Sequence, residues 1–212
     1  MHMYVIGLTG CAGSGKSFVC ECVSGSLGIP VIDSDYECRC LQEPGHAVYD
    51  AIVREFGPSC LAADGTLDRS ALASIVFNDK EALRKLNSLT HPATIERIRE
   101  LLSEYEKEGS EFVFVESALA AEAGYRSFCD ELWLVYASDE TRAERLRTTR
   151  GYSDEKIASV FASQIPQSEM FDCCERVIDN ENSIERTGIL RQITFYLDVI
   201  RNRLQHAKET TL

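Results

Sequence analysis

Gly10-Cys11-Ala12-Gly13-Ser14-Gly15-Lys16-Ser17 fits the pattern G-x-x-x-x-G-K-[ST] at every specified position. No other feature restricts the fold of this chain as strongly. The pattern carries its meaning where a buried strand runs into the loop and a helix opens from it. Both contexts are legible here. Tyr4 to Leu8 reads as a buried strand, and Ser14 to Ser26 reads as a helix after a glycine-rich turn. In that setting the glycines let the backbone wrap closely, so that successive N–H groups point into one concavity. The helix adds its positive N-terminal end, which suits a polyphosphate. Lys16 is then set to reach β- and γ-phosphates, and the Ser17 hydroxyl to ligate Mg²⁺.

The rest of the chain alternates short apolar runs with longer helical stretches, the pattern of an α/β fold around a parallel sheet. Pro30-Val31-Ile32 is a short second strand that ends at Asp33. Phe112 to Val115, Leu132 to Tyr136 and Val177-Ile178 supply three more. Phe112 to Val115 is the continuous apolar run that a strand covered on both faces requires. The expectation is a three-layer α/β/α P-loop fold with a five-stranded parallel sheet, all in one domain over residues 1–212.

Two segments stand outside that alternation. Residues 43–109 read as a helical insertion, with Asp68 and Asp79 as N-caps and a helix break near His91-Pro92. Residues 139–164 read as a charged helical lid interrupted at Gly151-Tyr152. Leu190, Ile193, Leu197, Ile200 and Leu204 form the apolar stripe of a last, docked helix, and the tail after Ala207 reads as frayed.

Charge narrows the partners. Asp and Glu number 34 against 22 Lys and Arg, a formal charge of −12. A nucleic-acid backbone or an anionic membrane surface demands a basic face, so neither is an expected partner. A small anion held by a few local cations remains compatible. No apolar run approaches the roughly 20 residues that span a bilayer. The start of the sequence lacks a signal-peptide layout, so a cytoplasmic location is expected. The sequence leaves the oligomeric state open, with a monomer preferred. Nine cysteines cannot all pair, and Cys20-x-Cys22, Cys38-x-Cys40 and Cys173-Cys174 lack zinc-ribbon spacing. Most are expected to be small buried hydrophobes. Cys11 lies inside the phosphate loop, where a nest of N–H groups and a lysine lower a thiol pKa if the thiol is exposed, which would allow redox control; the preferred expectation is that only its backbone matters there and the side chain is incidental.

Three classes of P-loop protein compete. A signalling GTPase needs an N-K-x-D base reader, and none is present. A motor or transport ATPase carries a strand ending in acids; the third strand ends in one acid, Glu116, and leaves this class open. A small-molecule kinase needs a chain near this length, an acid after the second strand and an arginine-bearing lid. Asp33 and Asp35 supply the acids, at the carboxyl edge of the sheet where open α/β folds bind ligands. Phosphoryl transfer uses one carboxylate to accept the proton of the attacking hydroxyl and often another near Mg²⁺. Arg142, Arg145, Arg147 and Arg150 are the lid candidates, since cations must surround the transferring phosphoryl oxygens. Interleaved Asp139, Glu140 and Glu144 also fit a plain solvated helix. His91 serves equally as a helix break or as a substrate contact.

Together these residues resemble the dephospho-coenzyme A kinase family over nearly the whole chain. Ile6 through Ser17 is similar to the family's opening, and Val31-Ile32-Asp33-Ser34-Asp35 with Arg39 to its aspartate motif. Glu43-Pro44-Gly45, Asp64 to Arg69, Val76-Phe77 and Leu86-Asn87 with His91-Pro92 are similar to its insertion. Glu140-Thr141, Arg145 and Gln164 resemble its lid, and Val177 to Asn180 its late strand and nucleotide-side loop. The resemblance implies ATP and dephospho-coenzyme A as substrates, with Mg²⁺ as cofactor and the ribose 3′-hydroxyl as acceptor. It implies Asp35 as general base, and Lys16, Arg145 and Arg150 around the transferring group. Ser17 would ligate Mg²⁺, with Asp33 through water. The loop from Gly10 to Ser17, then Phe18 and Asn180, would bind the nucleotide. Arg39 and His91 would lie on the acceptor side with Asp35. The alternatives are a nucleoside or nucleoside-monophosphate kinase, or a nucleotide-dependent regulatory protein. Cys11-Ala12 stands where the family commonly has Gly-Ile, which leaves the backbone donors intact. Ala118 to Glu122 replaces a Pro-Leu-Leu run and Glu, which bears on the shape of the acceptor pocket.

Overall fold

The apolar runs become strands, each slightly longer than its hydrophobic centre: β1 (Tyr4–Thr9), β2 (Val31–Asp33), β3 (Phe112–Glu116), β4 (Glu131–Tyr136) and β5 (Arg176–Asp179). The computed structural model describes residues 3–77, 79–118, 120 and 124–209. The five strands form one sheet in the order β2-β3-β1-β4-β5. β1 is central and runs parallel to both neighbours, with Leu8 opposite Glu116 on one side and Trp133 on the other. β4 continues in parallel to β5. Every residue of β1 is buried, as a strand with neighbours on both edges and cover on both faces must be.

Helices connect the strands: α1 (Lys16–Glu21), α2 (Ser34–Leu41), α3 (Ala47–Phe56), α4 (Arg69–Phe77), α5 (Lys80–Lys107), α6 (Asp139–Arg150), α7 (Asp154–Ala162), α8 (Gln167–Cys173) and α9 (Arg186–Glu209). The chain divides into two compact units, residues 1–31 with 110–212, and residues 32–109.

The first unit holds the main core. Trp133 is fully buried and meets Phe114 edge to face at 5.3 Å and Tyr196 at 5.4 Å between ring centroids. Ile189, Ile193, Leu197 and Ile200 of α9 pack into the same cluster, which accounts for the apolar stripe read from the sequence. Each such side chain contributes about 1.5–3 kcal/mol of burial. Two boundaries differ from expectation. α1 begins at Lys16 rather than Ser14, because the loop residues adopt turn rather than helical conformations; it then widens into a π-helical turn over Cys22–Ser26. α9 continues to Glu209, past the expected fraying point at Ala207, while residues 210–212 lie outside those described. Leu119, Ala121 and Glu122, from the stretch expected to bear on the acceptor pocket, also lie outside them.

The second unit packs its helices on Val48, Ile52, Cys60 and Leu72, with Leu41, Phe56, Leu86 and Leu89 around them. Asp68 caps α4 by accepting from the amides of Ser70 and Ala71, and Asp79 caps α5 in the same way through Glu81 and Ala82. The break expected at His91-Pro92 does not occur: α5 is one helix of 28 residues with Pro92 inside it. Proline forfeits one helical hydrogen bond and crowds the preceding turn. Here the buried side chains of Thr90, Thr94, Ile98 and Leu102 carry the helix through that defect.

The cysteines also depart from expectation. Cys11, Cys22, Cys60 and Cys129 are buried; Cys20, Cys38, Cys40 and Cys174 are half-buried and Cys173 is exposed, all as free thiols.

One buried charge organises the amino end of the sheet. Glu131 opens β4 and accepts from Trp133 Nε1 at 2.9 Å, Arg176 Nε at 2.8 Å and Arg203 at 3.1 Å. Burial opposes its charge, but the bonds from Arg176 and Trp133 outweigh that and hold its carboxyl below the ordinary glutamate range. A depressed carboxyl pKa stabilises the fold above the unfolded-state value, and that contribution is lost as pH falls through the folded-state value. Glu131→Ala should therefore cost about 3 kcal/mol of unfolding free energy at pH 7, by leaving Arg176 without its partner. The gap between wild type and variant should narrow as the pH falls below the ordinary glutamate range. Urea denaturation at both pH values measures it, and a gap independent of pH would contradict the assignment.

Candidate active site

The turn between β1 and α1 lies in the first unit, and its carbonyls are bound one after another, those of Ala12, Gly13 and Ser14 by side chains from outside the turn. Lys16 Nζ donates to Gly10 O at 2.7 Å. The Ser14 amide donates to Cys11 O at 3.1 Å. Arg142 Nε donates to Ala12 O at 2.9 Å. One Arg145 nitrogen donates to Gly13 O at 3.3 Å and Ser14 O at 3.1 Å, and Asn180 Nδ2 reaches Ser14 O at 2.7 Å. The amides of Gly13, Gly15 and Ser17 donate to no acceptor among the described residues. In a trans peptide the N–H points opposite to the preceding C=O. Carbonyls bound on the protein side thus leave amides facing away from it, the arrangement that receives an anion.

Glycine is required where the neighbours press in. Gly15 has φ 89°, and a Cβ there would lie 2.2 Å from Asn180 Nδ2. Gly13 has φ 83°, and its Cβ would lie 2.7 Å from the Arg142 carbonyl oxygen. The loop is clasped between α6 and the segment after β5, and no side chain fits at Gly13 or Gly15.

Beside the loop lies a cavity of about 420 Å³, lined by Gly15, Lys16, Phe18, Arg145, Arg150 and Asn180 among others. Three consecutive residues after β5 tie its wall to α6. The Asn180 carbonyl accepts from Arg145 at 2.6 Å. Glu181 accepts from the Ser138 amide and the Thr141 hydroxyl. Asn182 Nδ2 donates to Glu144 Oε2 at 2.7 Å, and its Oδ1 accepts from Arg145 at 3.2 Å.

The lid arginines separate into distinct situations. Arg145 and Arg150 line the cavity. Arg145 spends its donors on backbone carbonyls and Asn182. Arg150 closes α6 just before Gly151, whose left-handed φ of 63° ends the helix where the sequence marked an interruption. Arg147 is bound to Asp154 at 2.7 Å, and Arg142 is buried against the loop. These two are therefore not free lid cations. Glu116, at the end of β3, lies 3.9 Å from Lys16 Nζ. The sequence identified Glu116 only as a strand-end acid; its register opposite Leu8 is what brings it beside the loop.

Asp33, Asp35, Arg39 and His91 belong to the second unit or its entry strand. Asp33 caps α2 by accepting from the Tyr36 amide at 2.9 Å, and its other oxygen lies 4.0 Å from Arg39. Asp35 is exposed in the first turn of α2, and its carboxylate has no hydrogen bond or ion pair among the described residues. His91 is half-buried within α5, one residue before Pro92.

Comparison with known proteins agrees along most of the chain. The profile of a family described as "Dephospho-CoA kinase" matches residues 4–186. A dephospho-CoA kinase of Carboxydothermus hydrogenoformans is 37% identical over 183 residues, covering 86% of this chain and 88% of that protein. Among solved structures, TT1252 from Thermus thermophilus superposes with a TM-score of 0.81 at 29% identity, covering 94% of this chain and 98% of the other. A dephospho-CoA kinase from Campylobacter jejuni gives a TM-score of 0.66 at 26% identity, covering 92% and 96%.

The cysteine within the loop lacks the exposure that a lowered pKa requires, as the expectation of an incidental side chain has it. Cys11 is buried, with its sulfur 3.7 Å from Met170 Sδ. Burial pushes the Cys11 thiol up, against Arg142 and Lys16, whose charges pull it down. A raised pKa and no exposure make an unreactive thiol. In native protein at neutral pH, iodoacetamide should label exposed Cys173 well before Cys11. Peptide mass spectrometry over a time course reads this order, and early labelling of Cys11 would contradict it.

Proposed function

The chain belongs to the dephospho-CoA kinase family, and on that premise we propose how its residues divide the work of phosphoryl transfer. The activity is ATP-dependent phosphorylation of dephospho-CoA at the ribose 3′-hydroxyl, giving CoA and ADP. No helix among the described residues is long and apolar enough to cross a membrane.

One observation carries the proposal: the carbonyls of Ala12, Gly13 and Ser14 are bound by side chains from outside the turn, while the amides of Gly13, Gly15 and Ser17 lack acceptors among the described residues, beside a cavity of about 420 Å³. Those amides receive the ATP phosphates, and the start of α1 adds its dipole. Lys16 exchanges its bond to Gly10 O for the β/γ-phosphate oxygens. This stabilises charge that builds in the transition state. Asn180, Phe18 and the remaining cavity wall hold the nucleoside. Arg150 supplies a cation to the transferring group. Arg145 contributes positive charge there while it keeps Gly13 and Ser14 in place.

Asp35 accepts the proton of the attacking ribose hydroxyl. Its support is the absence of a competing partner: Asp33 is occupied as a helix cap, while Asp35 is exposed and unpaired among the described residues. A base must be within reach of its proton and uncommitted. Arg39 and His91 complete the acceptor side.

Mg²⁺ fits the donor set. It is a hard cation that takes hydroxyl, carboxylate and phosphate oxygens. Ser17 offers an exposed hydroxyl at the start of α1, Glu116 a carboxylate beside Lys16, and Asp33 a carboxylate acting through water. When bound, the ion would neutralise charge between the β- and γ-phosphates.

Two substitutions test the division of labour. Asp35→Asn should lower kcat by about 10²-fold or more and leave ATP binding near wild type. Lys16→Ala should cut transfer by about 10²-fold or more through lost phosphate stabilisation. Steady-state rates with a separate ATP-binding titration read both. Near-normal turnover in either variant would remove that residue from its role.

A further inference from the structure

Ala12 is gripped on both of its polar backbone groups by side chains that the transfer itself does not use. Arg142 Nε donates to its carbonyl at 2.9 Å. Gln164 Oε1 accepts from its amide at 3.0 Å. The same Gln164 oxygen accepts from a second Arg142 nitrogen at 3.2 Å, which closes a ring of three residues. Arg142 is further fixed by Asp139 Oδ1 at 2.6 Å and by stacking 4.1 Å from the centre of the Phe161 ring. Its side chain is only 4% exposed. Taking a guanidinium out of water costs several kcal/mol unless its donors are satisfied. The loop carbonyl, Asp139 and Gln164 together meet that demand.

The position gripped is one that local sterics leave undetermined. Gly13 follows Ala12 and has no Cβ, so the peptide between them can turn over at little steric cost. If it turned, the Gly13 amide would point to the protein side and one anion donor would be lost. Among the described residues every peptide is trans, so fixing Ala12 O fixes the Gly13 N–H in the opposite sense. We propose that Arg142 and Gln164 are positioning residues for ATP: they hold the Ala12 backbone from behind so that the Gly13 amide faces the phosphates. Arg142 touches no substrate in this role. Gln164 follows α7, so the grip also ties the far end of the lid segment to the loop. This rests on the loop being the phosphate site, as proposed above.

The test compares Arg142→Met, Gln164→Ala, Gln164→Glu and the Arg142→Met/Gln164→Ala double variant in the full chain. Measured are kcat, the KM for ATP and for dephospho-CoA, ADP binding by calorimetry, and the melting temperature. Arg142→Met and Gln164→Ala should each raise the ATP KM and weaken ADP binding by about tenfold, the scale of one lost hydrogen bond to a charged or fixed group. The KM for dephospho-CoA should not change. The double variant should be little worse than the worse single one, because Arg142 and Gln164 are bonded to each other and hold the two peptides that flank one residue. Gln164→Glu should keep a near-normal ATP KM, since a carboxylate still accepts from both the Ala12 amide and Arg142. If Arg142→Met does not fold, the contrast between Gln164→Ala and Gln164→Glu decides alone. Unchanged ATP KM and ADP binding would overturn the proposal. So would equal losses for both substrates tracking a lowered melting temperature, or fully multiplicative effects in the double variant. Lys16→Ala separates this from the underlying site reading. If Lys16→Ala weakens ADP binding and the clasp variants do not, only the clasp fails. If Lys16→Ala also binds ADP normally, the loop reading fails with it.

Discussion

Five consecutive carbonyls, from Gly10 to Ser14, are each bound, those of Ala12, Gly13 and Ser14 by side chains from outside the turn, and peptide planarity turns that fact into a binding site. A glycine-rich turn free of such contacts would sample many orientations, and a phosphate would have to organise it at its own entropic cost. The donors come from Lys16 and Ser14 within the turn, from Arg142 and Arg145 on α6, and from Asn180 after β5. Apart from Lys16, which exchanges its partner on binding, the site is thus assembled before nucleotide arrives. Electrostatic stabilisation gains most from this kind of preorganisation.

The sheet makes that convergence possible. β1 delivers the loop from the centre of the sheet, with β3 on one side and β4 on the other. β4 and β5 run parallel to it, so α6 and the segment after β5 both start from the same edge as the loop. Ser138 caps α6 and is itself tied to Glu181, which fixes the height at which Arg142 and Arg145 leave the helix. At the opposite edge, Glu131 gathers Arg176 and Arg203 about a buried charge. One end of the sheet thus spends its charges on holding the fold, and the other holds a loop with three amides open among the described residues.

Much of this was legible in the sequence. The loop motif named its own residues, since backbone donors depend on glycine spacing and not on distant partners. The strands were legible because a doubly covered parallel strand must be continuously apolar, as Phe112 to Val115 is. Asp68 and Asp79 announced helix starts through a strictly local bond. Other features depended on contacts far apart in the chain. Arg142 and Arg145 look alike on α6, yet one is buried behind the loop and the other lines the cavity. Only the three-dimensional placement of Gln164 and Ala12 distinguishes them. Pro92 was a sound local signal that tertiary packing overrode. Cys11 had a loop and a lysine to lower its pKa, but burial beside Met170 reversed the outcome. No sequence pattern encodes that burial.

Acceptor choice is the most direct test of the account. Purified protein with Mg²⁺-ATP would be offered dephospho-CoA, a panel of nucleosides and a panel of nucleoside monophosphates, with ADP release followed and products identified by mass. The account predicts release with dephospho-CoA alone, with CoA as the product. Release with a nucleoside or nucleoside monophosphate in its place would contradict it, as would ATP binding without transfer to any acceptor.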